Sequence, residues 1–238
     1  MIQSQKAIVI HSIRYTHSKQ VVRMFTAEHG LKAFLVNSGK SNKGGVANLL
    51  QPLSLVEFEC SMKEQSQLQA LRELRLAHPW QSIPFDAGKI AVVLFLNEIL
   101  HKTIPDDYQN NQLFQFLWHS LVLLDDAVEY NNFHLWCLLE ITRHYGFYPQ
   151  AEDGARKYFD MQSGIFVNAQ PPHTDCMNAD ESNWLYALLD KEWPEVQHLA
   201  MTGVLRKNVL TQLVHYIRLH LETLRQIHSL QVLHDIFQ

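Results

Sequence analysis

The first 60 residues alternate between short apolar runs and polar turns. Residues 6–13 and 31–36 are rich in β-branched or aromatic residues, and a third run at residues 49–60 sets Leu53, Leu55 and Phe58 between polar neighbours. Polar turns at residues 26–30 and 37–45 separate these runs, and the second turn holds three glycines. Several short strands with turns between them predict a small antiparallel barrel or sheet.

From residue 63 onward the spacing of apolar positions changes from two to near 3.6. Leu68, Leu71 and Leu74 predict a first helix, and residues 90–100, which follow Pro84 and Asp86, predict a second that is apolar almost all round. Further helices are predicted from four leucines at helical spacing, Leu113, Leu117, Leu121 and Leu124, and at residues 133–145, between a cap at Asn131 and Asn132 and a stop at Gly146.

The last third of the chain begins with a segment of little periodicity. Residues 150–180 contain Pro171 and Pro172 and are interpreted as a loop-rich insertion. Asp180 is then expected to cap a short helix that runs through Leu189. The final helix is predicted from an apolar stripe, Leu210, Leu213, Ile217, Leu221 and Leu224. The pattern as a whole predicts a β module at residues 1–62 and an α-helical domain at residues 63–238.

Composition limits the class of protein. The chain has 238 residues, of which 47% are hydrophobic and 18% charged, so it can bury a sizeable core and is not a disordered polymer. Its apolar runs are shorter than a membrane-spanning helix needs, and its first residues lack the apolar stretch of a secretory signal. We therefore expect a cytoplasmic protein without membrane contact. The three cysteines define no disulfide framework.

Charge is distributed unevenly. Residues 1–63 hold eight Lys and Arg against three acids, a net charge of +5, although the whole chain has a formal net charge of -4. This asymmetry indicates a polyanion partner for the N-terminal part alone. The alternative is that the basic and acidic parts neutralise each other within the fold.

Motifs for catalysis are absent from the sequence. Gly39, Lys40 and Ser41 suggest a phosphate-binding loop, but position 34, where that motif needs glycine, is Phe. The fourteen histidines form no HExxH motif, and His173 with Cys176 has no second ligand pair. Asp125 and Asp126 are expected at a solvated helix end. We therefore predict that the protein is not an enzyme and holds no cofactor or metal.

Aromatic and basic residues are interleaved near the N-terminus. Tyr15, Phe25 and Phe34 lie among four cations, Arg14, Lys19, Arg23 and Lys32. Aromatic faces beside cations are typical of single-stranded nucleic acid binding, although each aromatic side chain could instead belong to the core of the barrel.

The order of several short motifs resembles the bacterial RecO family of DNA repair proteins. In the first part these motifs are residues 7–15, 25–33, 39–40 and 50–53. In the second part they are residues 96–100, 111–114, 121–125, 132–133, 146–149, 228–230 and 232–233. The resemblance covers nearly the whole chain and implies an OB-fold, an antiparallel β-barrel, followed by an all-α domain.

This resemblance implies a DNA repair and homologous recombination mediator of the RecF pathway type. Such a protein binds single- and double-stranded DNA, anneals complementary strands and, with RecR, helps to load RecA onto strands covered by single-strand-binding protein. It also implies a nucleoid-associated location in the cytoplasm. The positions carried over as phosphate contacts are Arg14, Lys19, Arg23, Lys32, Lys40 and Lys43.

The resemblance also implies a partner site on the helical domain. The family docks the acidic, Phe-ending tail of single-strand-binding protein there, in an apolar pocket with a cationic rim, for which Arg143, Arg206, Lys207 and Arg218 are the candidates. One departure concerns zinc: many members carry a four-cysteine zinc site in the insertion, whereas residues 150–180 hold only Cys176. A protein-interaction adaptor that reaches DNA only through partners remains the alternative function.

Charge reversal of Lys40 and Lys43 tests the glycine-rich loop directly. We expect the Lys40→Glu/Lys43→Glu variant to bind single-stranded DNA more weakly, because it replaces two mobile phosphate contacts by repelling charges. Its melting temperature should be unchanged. Fluorescence anisotropy with labelled DNA measures the affinity, and unchanged binding would remove this loop from the DNA site.

Overall fold

A computed structural model describes residues 3–37, 46–62, 66–151 and 157–237. The chain divides into two compact units, Met1–Asp126 and Ala127–Gln238. The predicted phosphate contacts Lys40 and Lys43 lie outside the described residues. In the described part of the chain, no helix combines the length and apolar character needed to cross a membrane.

Five strands open the first unit and close into a barrel. They are β1 (Gln3–Thr16), β2 (Lys19–Thr26), β3 (Gly30–Asn37), β4 (Leu55–Cys60) and β5 (Leu68–Leu76), with a one-turn helix α1 (Val46–Leu49) before β4. The order around the barrel is β1-β2-β3-β5-β4, and β4 pairs with β1. Only the pairing of β3 with β5 is parallel. This is an OB-like barrel, and with the helices that follow it the predicted fold class is confirmed.

Alternate residues of the strands fill the barrel. Val9 pairs with Met24, and Val22 pairs with Phe34, so that their buried side chains share the inner face. Across the interior, the rings of Phe34 and Phe58 meet edge to face at 4.8 Å. Aromatic pairs in this geometry stabilise a core beyond the area they bury.

The helix predicted from Leu68, Leu71 and Leu74 is wrong, because this segment is strand β5. Arg72 pairs with Glu59 and Arg75 with Glu57, which leaves two residues of β5, Glu73 and Leu74, opposite one residue of β4. The extra residue of such a bulge interrupts the alternation of faces. Leu71, Leu74 and Leu76 therefore all pack against the barrel core, and their spacing imitates a helix. The barrel consequently extends past the predicted boundary at residue 62.

Two long helices complete the first unit, α2 (Ala87–Thr103) and α3 (Asn111–Asp126). Both were predicted, and α2 starts where Asp86 indicated: the Asp86 carboxylate accepts hydrogen bonds from the N–H groups of Gly88 and Lys89. A short 3-10 turn, Ile83–Phe85, lies between β5 and α2.

Asp125, which was expected in solvent, is buried at the end of α3. Its carboxylate accepts hydrogen bonds from the N–H groups of Gln81, Ser82 and Ile83 at 2.8–2.9 Å. Burial alone would raise the pKa of Asp125, but these hydrogen bonds lower it to about 2. The buried Lys89 ammonium donates to the Asp125 carbonyl oxygen at 2.8 Å and to the Ser82 hydroxyl at 2.6 Å. The prediction of a solvated helix end is therefore wrong.

The second unit combines five helices with a small sheet within its described part. The elements are α4 (Phe133–Tyr145), β6 (Tyr158–Asp160), β7 (Ile165–Val167), β8 (Cys176–Met177), α5 (Ala179–Leu188), α6 (Trp193–Val196), α7 (Gly203–His220) and α8 (Ser229–Ile236). The strands pair antiparallel in the order β7-β6-β8. They lie in the segment interpreted as a loop-rich insertion, and their two or three residues each are too short to give a recognisable alternation.

Three predicted helix ends can be compared with the structure. Helix α4 ends as expected at Gly146, whose φ of 86° is the left-handed conformation that glycine adopts without strain. Helix α5 is capped by Asn178 rather than Asp180, because Asn178 and Glu181 form a capping box. Helix α7 ends at His220, so Leu224 of the predicted stripe is buried beyond the helix.

Replacing Asp125 tests how much the first unit depends on this buried carboxylate. The Asp125→Ala variant leaves three N–H groups without their acceptor, so we expect unfolding free energy at pH 7 to fall by about 3 kcal/mol. Urea denaturation measures this loss. The exposed neighbour Asp126 gives the control variant Asp126→Asn, which should change stability by less than about 0.5 kcal/mol.

The same carboxylate predicts a pH dependence with a definite sign. Because the pKa of Asp125 is lower in the folded state, its contribution is complete above the pKa of an unfolded aspartate, about 4. The contribution is lost as the pH falls from there toward about 2. The difference in unfolding free energy between wild type and Asp125→Ala should therefore become smaller below pH 4. A difference that stays constant with pH would contradict this assignment.

Candidate nucleic-acid interface

The end of the β1–β2 hairpin presents two cations and an aromatic ring to solvent. Arg14 and Lys19 are exposed, and Tyr15 between them is 65% exposed. Arg14 pairs with Gln20 and Thr16 with Lys19, which leaves Tyr15 as an extra residue without a partner on β2. Bulges of this kind re-aim side chains. We call Arg14, Tyr15 and Lys19 the hairpin tip.

An apolar row crosses the outer face of the barrel next to this tip. Ile13, Val21, Leu35 and Ala70 are in register on β1, β2, β3 and β5, so they lie on one face. Ile13 is 51% exposed. The row therefore offers an apolar surface beside the cations of the hairpin tip.

The other two aromatic candidates belong to the core. Phe25 and Phe34 are fully buried: Phe34 faces the barrel interior, and Phe25 packs against Phe114 of α3 at 5.9 Å. Of the three aromatic residues that the sequence offered, only Tyr15 can contact a base in this structure.

Arg23 and Lys32 are not open phosphate sites in this structure. Arg23 donates a hydrogen bond to Asp106, and Lys32 donates one to Asp107. The cation side chains are 29% and 26% exposed, whereas the two acids are 80% and 72% exposed. We call Arg23 and Lys32 the covered pair, and residues 105–108, which join α2 to α3, the acidic loop.

The acidic loop approaches β3 closely because residue 30 is glycine. A Cβ atom at Gly30 would lie 2.2 Å from the carbonyl oxygen of Tyr108, and Gly30 also has a φ of 67°. The Asp107 N–H donates to the Leu31 carbonyl at 3.2 Å. Asp107 itself has a φ of 60°, a conformation that aspartate tolerates better than most residues.

Two histidines lie beside Arg23. The ring of His11, which pairs with Arg23 across the strands, stacks on His101 of α2 at 4.4 Å. Burial lowers the pKa of His101, and the charges of His11, Arg23 and Lys102 lower it further. Protonation of His101 is therefore unfavourable in this part of the first unit.

Because the pattern of residues 68–74 predicts a helix, two cations of β5 are not among the predicted phosphate contacts. Arg72 and Arg75 lie on β5 opposite Glu59 and Glu57, and Arg75 bonds Glu57 at 3.0 Å. The alternation of Arg and Glu on the two segments was the available signal. Because each Arg faces a Glu, this strand pair adds little net charge to the interface.

In the second unit, Arg143 is held in place by its neighbours. Its guanidinium bonds Glu140 and Asp190 and lies 3.6 Å from the centre of the Tyr148 ring. Burial, and to a lesser extent nearby acids, raise the pKa of Tyr148 to about 12. Arg143 thus fixes the residues after α5 to the end of α4.

Arg206 is buried and connects several backbone segments. Its Nε donates to the Asn132 side-chain oxygen at 3.0 Å, and its Nη2 donates to the Met201 carbonyl at 2.7 Å. The Asn132 amide group in turn donates to the carbonyls of Val196 and Leu199. Asn132, expected to cap α4 with its side chain, therefore serves this network instead.

The four predicted rim residues do not surround one pocket. Lys207 is exposed, whereas Arg218 is half-buried on the same face of α7, about 16 Å along the helix. Arg206 and Lys207 line a small pocket with His134, His234 and the ring of Phe237. Burial lowers the pKa of His134 to about 3, and the nearby charges of Arg206 and His234 act in the same direction.

Metal ligands do not converge in the described residues. No three His, Cys, Asp or Glu side chains there come close enough to hold an ion. His173 forms an ion pair with Asp160 at 3.3 Å within the insertion, and Asp175 of the insertion forms one with His215 of α7 at 2.8 Å.

Comparisons with known proteins agree across the chain. Residues 1–80 match the family model described as Recombination protein O N terminal, and residues 84–230 match Recombination protein O C terminal. Curated relatives called DNA repair protein RecO are similar over nearly their full length. The chain is 32% identical to that of Phocaeicola vulgatus and 34% identical to that of Bacteroides fragilis, each with 100% of both chains covered. It is 35% identical to that of Flavobacterium johnsoniae, with 98% of both chains covered.

The positions of Arg206 and Lys207 predict losses of stability of very different size on mutation. Arg206→Ala removes a buried donor from Asn132 and Met201, so we expect unfolding free energy to fall by about 3 kcal/mol. Lys207→Ala, an exposed change on the next residue of the same helix, should cost less than about 0.5 kcal/mol. Thermal and urea unfolding of the two variants provide the comparison, and equal losses would mean that Arg206 is not a structural residue.

Proposed function

Because the chain belongs to the RecO family of DNA repair proteins, we propose that it acts as a recombination mediator. In this proposal it binds single- and double-stranded DNA through the barrel and anneals complementary strands. With RecR, it helps to load RecA onto strands covered by single-strand-binding protein. The proposed role requires binding and positioning of strands rather than bond-breaking chemistry, and it places the protein at the nucleoid.

The hairpin tip is the observation that carries this proposal. Arg14 and Lys19 supply charges that can follow a phosphodiester backbone, and exposed Tyr15 between them offers a face to a base. None of these contacts reads the edge of a base, so we expect binding to depend weakly on sequence. We also expect affinity to fall steeply with salt, because phosphate contacts release condensed counterions.

Annealing follows from the same chemistry. Two complementary strands repel each other through their phosphates, and cations on a protein surface reduce that repulsion. The apolar row of Ile13, Val21 and Leu35 can hold unpaired bases apart from one another while leaving their edges accessible. A barrel that holds backbones and base faces in this way keeps a strand ready to pair.

Partner binding is proposed for the second unit. The acidic tail of single-strand-binding protein requires exposed cations, and Lys207 best meets this requirement among the four candidates because Arg143 and Arg206 are engaged in structural contacts. Arg218 lies on the same face of α7 and extends this positive face along the helix.

A specific cavity supports the adaptor alternative. In the first unit, apolar side chains of Trp80, Ile83, Ile90, Val93 and Leu94 line a cavity of about 560 Å³. A cavity of this size is in the range of small-ligand pockets and has room for more than one apolar side chain of a peptide. The adaptor function predicts partner capture that survives the loss of direct DNA binding.

Replacing Tyr15 tests the proposed DNA contact. Base stacking contributes about 1–3 kcal/mol per base, so Tyr15→Ala should weaken binding of labelled oligo-dT by about 5- to 150-fold, as measured by fluorescence anisotropy. Tyr15→Phe should retain most of the affinity. Because Tyr15 is largely exposed, the melting temperature should be unchanged.

Phe85 provides the matched control, since it is an aromatic residue of the same unit that is 85% exposed. Phe85→Ala should bind oligo-dT as wild type does. If wild type fails to bind DNA even at low salt, direct binding is wrong and the adaptor function is favoured. If Tyr15→Ala binds normally, the hairpin tip is not the base platform.

A further inference from the structure

We propose that the acidic loop is a displaceable cover over a phosphate-binding site formed by Arg23 and Lys32. This inference rests on the proposed function, because it concerns how the same barrel surface admits a DNA backbone. Asp106 and Asp107 are consecutive acids that occupy the two cations of the covered pair, as two successive phosphodiesters would. The loop therefore acts as an internal competitor for the nucleic acid.

The exposure of the four side chains makes displacement feasible. Both acids are largely exposed, whereas less than a third of each cation side chain is exposed. Ion pairs of this kind are weak and are screened by salt, so rotation of two aspartate side chains suffices to open the site. An Asp that leaves its cation moves into water without disturbing the core.

The space beneath the loop is already present. Arg23 and Lys32 line a cavity of about 390 Å³ together with Ser66, Gln67 and the two acids. Beside the two cations, Ser66 and Gln67 can therefore donate hydrogen bonds to phosphate oxygens. Among the residues that the structure describes, Asp106 and Asp107 supply the carboxylates of this lining, so removing these two charges leaves the described lining with a net positive charge.

The way in which the loop is held argues for a specific contact rather than chance proximity of surface charges. Its backbone is joined to β3 by the hydrogen bond from the Asp107 N–H to Leu31, and only glycine at position 30 allows this approach. Asp107 also adopts a left-handed conformation. Backbone geometry thus presents both acids to the cations at once.

Neutralising the two acids tests the cover. Oligo-dT binding is measured by anisotropy at several salt concentrations for wild type and for Asp106→Asn/Asp107→Asn. We expect the variant to bind about tenfold more tightly at low salt. Its plot of log affinity against log salt should be steeper by up to about 1.4, because the acidic loop blocks the two phosphate contacts in part of the wild-type complexes and in none of the variant complexes.

A matched control separates the cover from net charge. The variant Asp126→Asn/Glu222→Gln removes the same number of negative charges at exposed positions outside the acidic loop. It should not reproduce the steeper salt dependence. If it does so to the same extent, long-range charge explains the effect and the cover is overturned.

A mutant cycle assigns the gain to the covered pair. In the Asp106→Asn/Asp107→Asn background, adding Arg23→Gln/Lys32→Gln should abolish the gain in affinity. In the wild-type background, the same two substitutions should cost less affinity, because the cations are already occupied. Equal losses in both backgrounds would overturn the cover.

Gly30→Ala opens the loop without changing any charge, since its Cβ atom cannot coexist with the Tyr108 carbonyl. A folded Gly30→Ala protein should also bind DNA more tightly than wild type does. If the variant does not fold, the mutant cycle decides between the outcomes.

The outcomes for the cover and for direct DNA binding can be distinguished. If wild type binds DNA and Asp106→Asn/Asp107→Asn binds no more tightly, the cover alone is overturned. Binding by the double variant but not by wild type supports the cover and contradicts direct binding by the native protein. No binding by either protein overturns both proposals.

Discussion

The buried carboxylate of Asp125 is the interaction on which the arrangement of the first unit depends. It satisfies three successive N–H groups in the turn after the barrel, while Lys89 at the start of α2 bonds the last turn of α3. This anion and cation therefore tie the chain that leaves β5 to both long helices. Since the acidic loop joins the other ends of α2 and α3, its position against β3 follows from the same anchor.

Sequence patterns located the long helices α2, α3, α4 and α7 because helical periodicity and capping are local, but they missed the short helices α6 and α8. The helix that ends at Gly146 needed only an apolar stripe and a glycine, both visible within 14 residues. Strand β5 was missed because a bulge placed Leu71 and Leu74 on one face at a helical spacing. The pairing of Arg23 with Asp106 spans 83 residues, so no local pattern could reveal that a predicted phosphate contact was already occupied.

The second unit shows how an insertion without a cysteine quartet is ordered. Phe159, Phe166 and Met177 from the three short strands are buried together, with the rings of Phe159 and Phe166 at 4.9 Å. The Ser182 hydroxyl accepts from the Phe159 N–H and donates to the Met177 carbonyl, which joins the sheet to α5. Apolar burial and one hydroxyl therefore connect the three short strands of this segment.

The bulge at Tyr15 and the covered pair lie on three consecutive strands, β1 to β3, and their combination has a consequence for which ligands can compete. A tethered acid acts as a ligand of high effective concentration, in the millimolar range for short flexible tethers, so a free mononucleotide at lower concentration remains excluded from Arg23 and Lys32. A strand already held at the hairpin tip is itself tethered, and its next phosphates compete on equal terms. Under the proposed cover, the barrel thereby distinguishes polymers from their monomers by chain length alone.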